Sequence, residues 1–114
     1  MKAYGSQSMV GPLRRVIVKQ PREAFGDKTA IEAQWKDLNY TDPPDLAAAE
    51  NEFDAFIRVL ERSGAEVLNL PVDDRTGLDS IYTQDPFIIT DAGAVLFQTG
   101  KIARRGEGPA IGDA

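Results

Sequence analysis

One amphipathic segment constrains the fold of this sequence more than any other feature. Between Asp45 and Gly64, apolar residues recur at spacings of three and four, which places them on one face of a helix. Asp45 follows two prolines and can cap the first turn, and Gly64 can adopt the left-handed conformation that ends many helices. The pattern predicts a helix over residues 44–63 that packs one stripe on a sheet. The stripe comprises Leu46, Ala49, Phe53, Phe56, Ile57 and Leu60, and the opposite face carries Glu50, Asn51, Asp54, Arg58 and Glu61.

Apolar runs typical of β-strands lie on both sides of this helix. Residues 13–20 form one run, which Pro21 ends, and residues 66–72 form another directly after the helix. Strand, helix, strand is the order from which α/β folds are built. The predicted fold class is therefore α/β, in a single domain of 114 residues that can bury one modest core.

Two further β-prone runs lie later in the chain. Residues 82–90 and residues 94–99 flank a short turn at Gly93, which is the pattern of a β-hairpin. We expect the paired strands to occupy residues 87–90 and 94–98.

Two segments have no sustained hydrophobic period. Residues 21–44 mix charges with scattered aromatic side chains, which predicts a long ordered loop with a helical turn around residues 29–35. Residues 100–114 are first basic and then rich in Gly and Pro, so no terminal element is expected, and the sequence looks cut rather than finished. The side chains expected to hold the long loop as a satellite of the core are Trp35, Leu38 and Tyr40.

Composition excludes several classes of function. The net charge is −5, whereas nucleic acid is bound by clustered Lys and Arg in excess, so no nucleic-acid partner is expected. The absence of Cys and His excludes cysteine metal sites and Ser-His or Cys-His catalysis within these residues. No phosphate-binding loop is present, and neither a metal nor a cofactor is predicted. No apolar run approaches the roughly 20 residues of a membrane span, which favours a soluble, cytoplasmic protein without a membrane partner.

Two carboxylates are the candidate binding residues. Asp85 precedes Pro86, which favours extended geometry at the start of the hairpin, and Asp79 lies six residues earlier. Two carboxylates at strand ends can hold a guanidinium or amidinium, because that group only donates hydrogen bonds and a carboxylate only accepts them. The alternative is a turn aspartate that caps backbone amides, and spacing alone favours this simpler interpretation.

A short charged cluster follows the hairpin. A solvated rim is the simpler interpretation, and a carboxylate-binding or loop-anchoring site is the functional one. The cluster consists of Lys101, Arg104, Arg105 and Glu107.

The order of these motifs resembles the N-terminal part of the guanidino-group modifying superfamily. The quoted segments are Asp79-Ser-Ile-Tyr-Thr-Gln-Asp85-Pro86, Gly93-Ala94 and Gly100-Lys101-x-x-Arg104-Arg105-x-Glu107, after the long loop, the helix and Leu70-Pro71. The similarity covers residues 13–107 and is strongest to the branch of dimethylarginine dimethylaminohydrolases, arginine deiminases and amidinotransferases.

The resemblance implies the pentein fold, an α/β propeller of ββαβ units around a substrate channel. Residues 1–114 would form the N-terminal part of that single domain, less than half of it. In these enzymes a cysteine attacks the guanidinium carbon, a histidine transfers protons, and carboxylates hold the guanidinium nitrogens. The resemblance assigns the last role to Asp85 and, more weakly, to Asp79. Gln84 and Gln98 depart from a glutamate and an arginine that members of the family carry.

The expected function is that of the N-terminal fragment of a hydrolase that converts a methylated arginine to citrulline and an amine. Arginine deiminase and amidinotransferase activities are alternatives within the family. An acidic, non-catalytic interaction domain is the alternative from another class. The expected partner is a small guanidino compound, and a homodimer is compatible with the sequence, which does not determine the oligomeric state. Without Cys and His, the chain alone is expected to be inactive.

Overall fold

The structure, a computed structural model, describes Gly5 and residues 8–114. Its first sheet pairs strand β1 (Arg15–Val18) with strand β2 (Glu66–Asn69) in parallel. Arg15 lies opposite Glu66 and Val18 opposite Asn69. Parallel neighbours require a crossover connection, and the helices between the two strands supply it. The predicted strand, helix, strand order is confirmed, with both strands shorter than the apolar runs.

The segment after β1 contains two short helices, so the expectation of a long loop was wrong. Helix α1 (Pro21–Phe25) begins with proline, and helix α2 (Lys28–Gln34) occupies the position of the predicted helical turn. A proline in the first turn starts a helix well, because the missing N–H would have no partner there. The Asp27 side chain caps α2 by accepting the Ala30 N–H at 2.8 Å.

These two helices build the main core rather than a satellite of it. The buried side chains of the core cluster come from α1, α2 and the residues just after them, together with Leu78. Leu78 has no exposed surface and packs against the helices from a later part of the chain. The core side chains are Ala24, Phe25, Ile31, Leu38 and Leu78, with Trp35, Tyr40, Leu46, Ala49 and Ile81 packed around them.

The long amphipathic helix is present as α3 (Leu46–Arg62). Asp45 accepts the Ala48 N–H at 3.0 Å, and Gly64 follows the helix with a φ of 84°. Both caps agree with the sequence pattern, since an N-cap carboxylate and a left-handed glycine satisfy the free ends of a helix.

The buried stripe of α3 is narrower than predicted. Leu60 is buried and Phe53 and Ile57 are half-buried, but Phe56 is 51% exposed. The helix packs on α1 and β2, and this small surface leaves the flank that carries Phe56 in solvent. Glu50, expected on the outer face, is half-buried and accepts a hydrogen bond from Arg22 of α1 at 2.8 Å.

The predicted hairpin is confirmed, but both strands are shorter than their apolar runs, and the second covers residues 93–96 rather than 94–98. Strands β3 (Phe87–Thr90) and β4 (Gly93–Leu96) pair antiparallel, with Phe87 opposite Leu96. The segment before Phe87 is instead a 3₁₀ helix (Leu78–Ile81) and a turn that ends at the buried Pro86. Proline lacks the N–H that would extend the ladder, so regular pairing begins after it.

Residues 100–114 form terminal elements, contrary to expectation. A 3₁₀ helix (Ile102–Arg104) leads into helix α4 (Glu107–Asp113), which packs against β4. Glycine and proline in α4 disfavour a helix, but Pro109 lies in its first turn, where no N–H is required. The buried ion pair of Arg104 with Glu107 holds the start of α4 in place.

The described residues form two separate two-stranded sheets and no closed propeller. An open apolar groove lies between the sheets and α4. Within the described residues, no helix is both long and apolar enough to cross a membrane. The groove is lined by residues that include Ile17, Leu68, Phe87, Ile89, Leu96 and Ile111.

The unequal burial of two apolar residues of α3 gives a test of the packing. We expect Leu60→Ala to lower the free energy of unfolding by about 2–5 kcal/mol, because it leaves a cavity under the helix. Phe56→Ala removes a larger but half-exposed side chain, and we expect a loss of about 1 kcal/mol or less. Urea unfolding followed by circular dichroism measures both, and a larger loss for Phe56→Ala would contradict the observed orientation of α3.

Candidate functional site

Five charged side chains meet beside the start of the hairpin, and we refer to them as the Arg104 network. Arg104 is at the centre, and its partners come from three elements that are separate in sequence: the 3₁₀ helix at Leu78, the turn before β3, and the start of α4. The network consists of Asp79, Asp85, Lys101, Arg104 and Glu107.

Two buried apolar residues place the aspartates of this network. Leu78 is fully buried in the core and Pro86 is also almost completely inaccessible. Asp79 directly follows Leu78, and Asp85 directly precedes Pro86. The Leu78 N–H also donates to the Gln34 side chain at 3.2 Å, which ties the 3₁₀ helix to α2. The core therefore fixes the backbone on which both carboxylates are carried.

The guanidinium of Arg104 uses all three of its nitrogens. Its Nε and Nη2 donate to the two carboxylate oxygens of Glu107, both at 2.8 Å. Its Nη1 donates to Asp85 Oδ2 at 2.9 Å, and Nη2 also donates to the backbone carbonyl of Asp79 at 3.2 Å. A planar, charged donor fork with paired carboxylates is the strongest side-chain arrangement of this kind. The side chains of Arg104 and Glu107 are 11% and 3% exposed, so water weakens these bonds little.

The carboxylate of Asp79 forms an ion pair with a lysine of the network. Lys101 Nζ donates to Asp79 Oδ2 and to the backbone carbonyl of Leu38, each at 2.9 Å. The Asp79 side chain is 4% exposed, and its Oδ2 lies 4.0 Å from Arg104 Nε. Lys101 thus joins the network to the loop that leaves α2.

The network has a surplus of negative charge that reaches solvent at one place. The three carboxylates and two cationic groups of the network sum to a formal charge of −1, and the buried Lys19 lies near Glu107 on the inner side. The Asp85 side chain is 44% exposed, whereas the side chains of Asp79 and Glu107 are buried. The hydrogen bonds that Arg104 donates to Glu107, and then to Asp85, raise the pKa of its guanidinium above the ordinary value, so this cation stays charged. The exposed carboxylate of Asp85 is consequently the place where the network can attract an external cation.

Tyr40 borders the network from the core side. Burial and then the neighbouring Asp79 carboxylate raise the pKa of its hydroxyl above the ordinary value. Tyr40 therefore stays neutral and adds no charge to the site.

Comparison with known proteins gives one curated relative and two solved structures. The relative is the N(G),N(G)-dimethylarginine dimethylaminohydrolase of Pseudomonas aeruginosa, 36% identical over 64 residues, which are 56% of this chain and 25% of the relative. A dimethylarginine dimethylaminohydrolase adduct with 4-chloro-2-hydroxymethylpyridine matches 89% of this chain and 35% of its own at 27% identity, with a TM-score of 0.65. A variant of the Pseudomonas aeruginosa enzyme complexed with citrulline matches 90% and 37% at 24% identity, with a TM-score of 0.68.

The chain is related to the guanidino-group modifying superfamily. The relatives found are dimethylarginine dimethylaminohydrolases, and the chain spans only 25–37% of their length. No family model matches the sequence. The resemblance inferred from the motifs is confirmed at the level of the superfamily.

Both predicted site residues lie on one guanidinium, but that guanidinium belongs to the chain itself. Asp85 binds Arg104 directly, and Asp79 approaches it through a backbone carbonyl and a more distant carboxylate oxygen. In the described structure the Asp85 carboxylate accepts no backbone amide, so the turn-cap interpretation is wrong there. Contact of Asp85 or Asp79 with a substrate stays a prediction.

The charged cluster after the hairpin is largely a loop anchor. Lys101 and Arg104 each bind other segments, and Glu107 is buried, so the interpretation as a solvated rim holds only for Arg105. Sequence reasoning did not assign Glu107 a partner. The spacing of Arg104 and Glu107, three residues apart, was a signal that the two side chains could meet. Gln84 and Gln98 are both exposed.

The burial of the Arg104–Glu107 pair predicts a large contribution to stability. We expect Glu107→Gln to lower the free energy of unfolding by about 3–5 kcal/mol, because a buried guanidinium loses its main counter-charge. The Arg22–Glu50 pair is a matched control, since Arg22 is mostly exposed, and Arg22→Gln is expected to cost about 0.2–1 kcal/mol. Urea denaturation compares the two variants. Equal losses in the free energy of unfolding would show that the buried pair stabilises the fold no more than the exposed pair does.

Proposed function

We propose that this chain forms the guanidinium-binding part of a hydrolase that acts on methylated arginine. The observation that carries the proposal is Asp85, a half-exposed carboxylate at the outer edge of a network with one surplus negative charge. The names of the related proteins supply the reaction class, dimethylarginine dimethylaminohydrolase. Because the chain covers a minor part of these relatives, activity is proposed for the complete protein only.

The chemistry of the substrate explains the use of such a carboxylate. A guanidinium is stabilised by resonance and is a poor electrophile, so an enzyme has to fix its charge and orient its carbon for attack. Asp85 can accept N–H bonds from this planar cation, and Pro86 and the following hairpin limit the movement of its backbone. Asp85 therefore binds and orients the substrate in this proposal, and Asp79 supports it from the buried side.

The remaining tasks need groups that this chain does not contain. Attack on the guanidinium carbon requires a nucleophile, and departure of the amine requires a proton donor. The family uses a cysteine and a histidine, and the sequence has neither. We propose that residues 1–114 are the N-terminal part of one α/β-propeller domain whose other residues supply both groups.

Arginine deiminase and amidinotransferase activities remain alternatives within the same proposal, because each also begins with binding of a guanidinium. The groups that contact the other end of the substrate distinguish them. A cytoplasmic location, and partners limited to small guanidino compounds, also remain proposals.

Binding to the isolated chain tests the first step. We expect N(G),N(G)-dimethylarginine to shift the amide NMR signals of residues around Asp85, and Asp85→Asn to weaken this binding by about tenfold or more, through loss of a charge-assisted bond. Asp54→Asn removes the same charge from an exposed position on α3 and serves as the control. Equal affinity of the Asp85 variant and the wild-type chain would refute the assigned role of Asp85.

Catalysis by the 114 residues alone is expected to be absent. Loss of the nucleophile or of the acid-base group costs several orders of magnitude in rate in enzymes of known mechanism. Incubation of the purified chain with N(G),N(G)-dimethylarginine, followed by a colorimetric citrulline assay, measures this. Citrulline above a protein-free control would contradict the prediction.

A further inference from the structure

Arg104 holds one of the two oxygens of Asp85, and we infer that it is a positioning residue for the guanidinium contact of Asp85. The inference rests on the proposed function for the identity of the ligand. Its geometry is independent of that proposal: within the described residues, the Asp85 carboxylate has one hydrogen-bond partner, Arg104 Nη1, which uses Oδ2 at 2.9 Å. A carboxylate has about four acceptor positions on its two oxygens, so Oδ1 remains for an external donor.

The orientation of Asp85 is determined by Glu107. Glu107 accepts two parallel bonds from Arg104, and a planar guanidinium held in this way has no remaining freedom to rotate. Its third nitrogen, Nη1, then points in a fixed direction and fixes Asp85 Oδ2. Glu107 thus acts on Asp85 through Arg104, although Glu107 itself is buried and cannot touch a ligand.

A lysine at position 104 would not do the same. Its ammonium is a point charge on a flexible stem and has no planar fork to transmit direction from one carboxylate to another. The arginine therefore contributes geometry in addition to charge.

The opposite interpretation is that Arg104 competes with an external guanidinium for Asp85. The two interpretations predict changes of opposite sign. If Arg104 only competes, its removal increases the negative charge of the site and frees Oδ2, so a cation binds more tightly. If Arg104 positions Asp85, its removal leaves the carboxylate mobile and the cation binds more weakly.

Arg104→Gln and Arg105→Gln form the matched pair for this test. Each removes one positive charge, but Arg105 is exposed and only Arg104 bonds to Asp85. We expect Arg104→Gln to weaken binding of N(G),N(G)-dimethylarginine by about tenfold, as small misplacements of a binding group do. Arg105→Gln is expected to leave affinity within about twofold, since exposed charges are screened by salt. Tighter binding by Arg104→Gln would overturn the inference.

Arg104→Lys separates positioning from charge and from folding. It keeps the net charge, and the amide NMR spectrum shows whether the chain remains folded. A folded Arg104→Lys variant with weakened binding supports the inference, and one with wild-type affinity overturns it. If Arg104→Gln and Arg104→Lys are both unfolded at low temperature, Arg104 is a folding residue and the inference is wrong.

A measurement without ligand distinguishes failure of this inference from failure of the proposed function. The carboxyl-carbon NMR signal of Asp85 is expected to shift in Arg104→Lys and to stay unchanged in Arg105→Lys. If the wild-type chain binds no N(G),N(G)-dimethylarginine but the Asp85 signal responds in this way, the proposed function fails and the positioning contact stands. If the signal does not respond, the positioning contact itself fails.

Discussion

Arg104 is a charged side chain in an almost dry environment, and several parts of the structure meet because of it. A buried guanidinium is costly unless its donors are satisfied, and Arg104 is satisfied only when Glu107, Asp85 and the Asp79 carbonyl all come within reach. These partners belong to the start of α4, the turn before β3 and the 3₁₀ helix at Leu78. The same interaction therefore stabilises the C-terminal part of the chain and holds Asp85, the one exposed carboxylate of the network, in position.

The core and the network depend on each other. Leu78 and Pro86 are buried, and they hold the backbone beside Asp79 and Asp85. In the other direction, Lys101 bonds both Asp79 and the Leu38 carbonyl, so the network fastens the loop that closes the helical core. A site is held in a precise geometry only when the residues next to its functional side chains are fixed by packing. Here Leu78 and Pro86 are both fixed in this way.

The hairpin has apolar residues on both faces. Phe87 and Leu96 face the open groove, and the opposite pair, Ile88 and Val95, is about half exposed. Strands with apolar residues on both faces are typical of sheets that are covered on both sides. A two-stranded ribbon is also marginally stable alone. These features support the proposal that the chain is one part of a larger α/β domain, in which other elements cover both faces.

The sequence by itself determined the elements whose signals are local. The period of three and four in α3, its caps at Asp45 and Gly64, the strand, helix, strand order and the hairpin turn all follow from neighbouring residues, and the structure confirms them. The order and spacing of several motifs together, above all the segment from Asp79 to Pro86, indicated the superfamily. Tertiary structure decided the features that depend on distant contacts. From the sequence, Pro21 could end a strand or start a helix, and the folded chain starts helix α1 there. Phe56 could likewise face the core or solvent, and the small surface under α3 leaves it exposed. The same holds for Arg104. The sequence shows a basic cluster, but only packing brings Arg104 Nη1 to 2.9 Å from Asp85 Oδ2. Burial and charge pairing are properties of the folded chain and not of residue spacing.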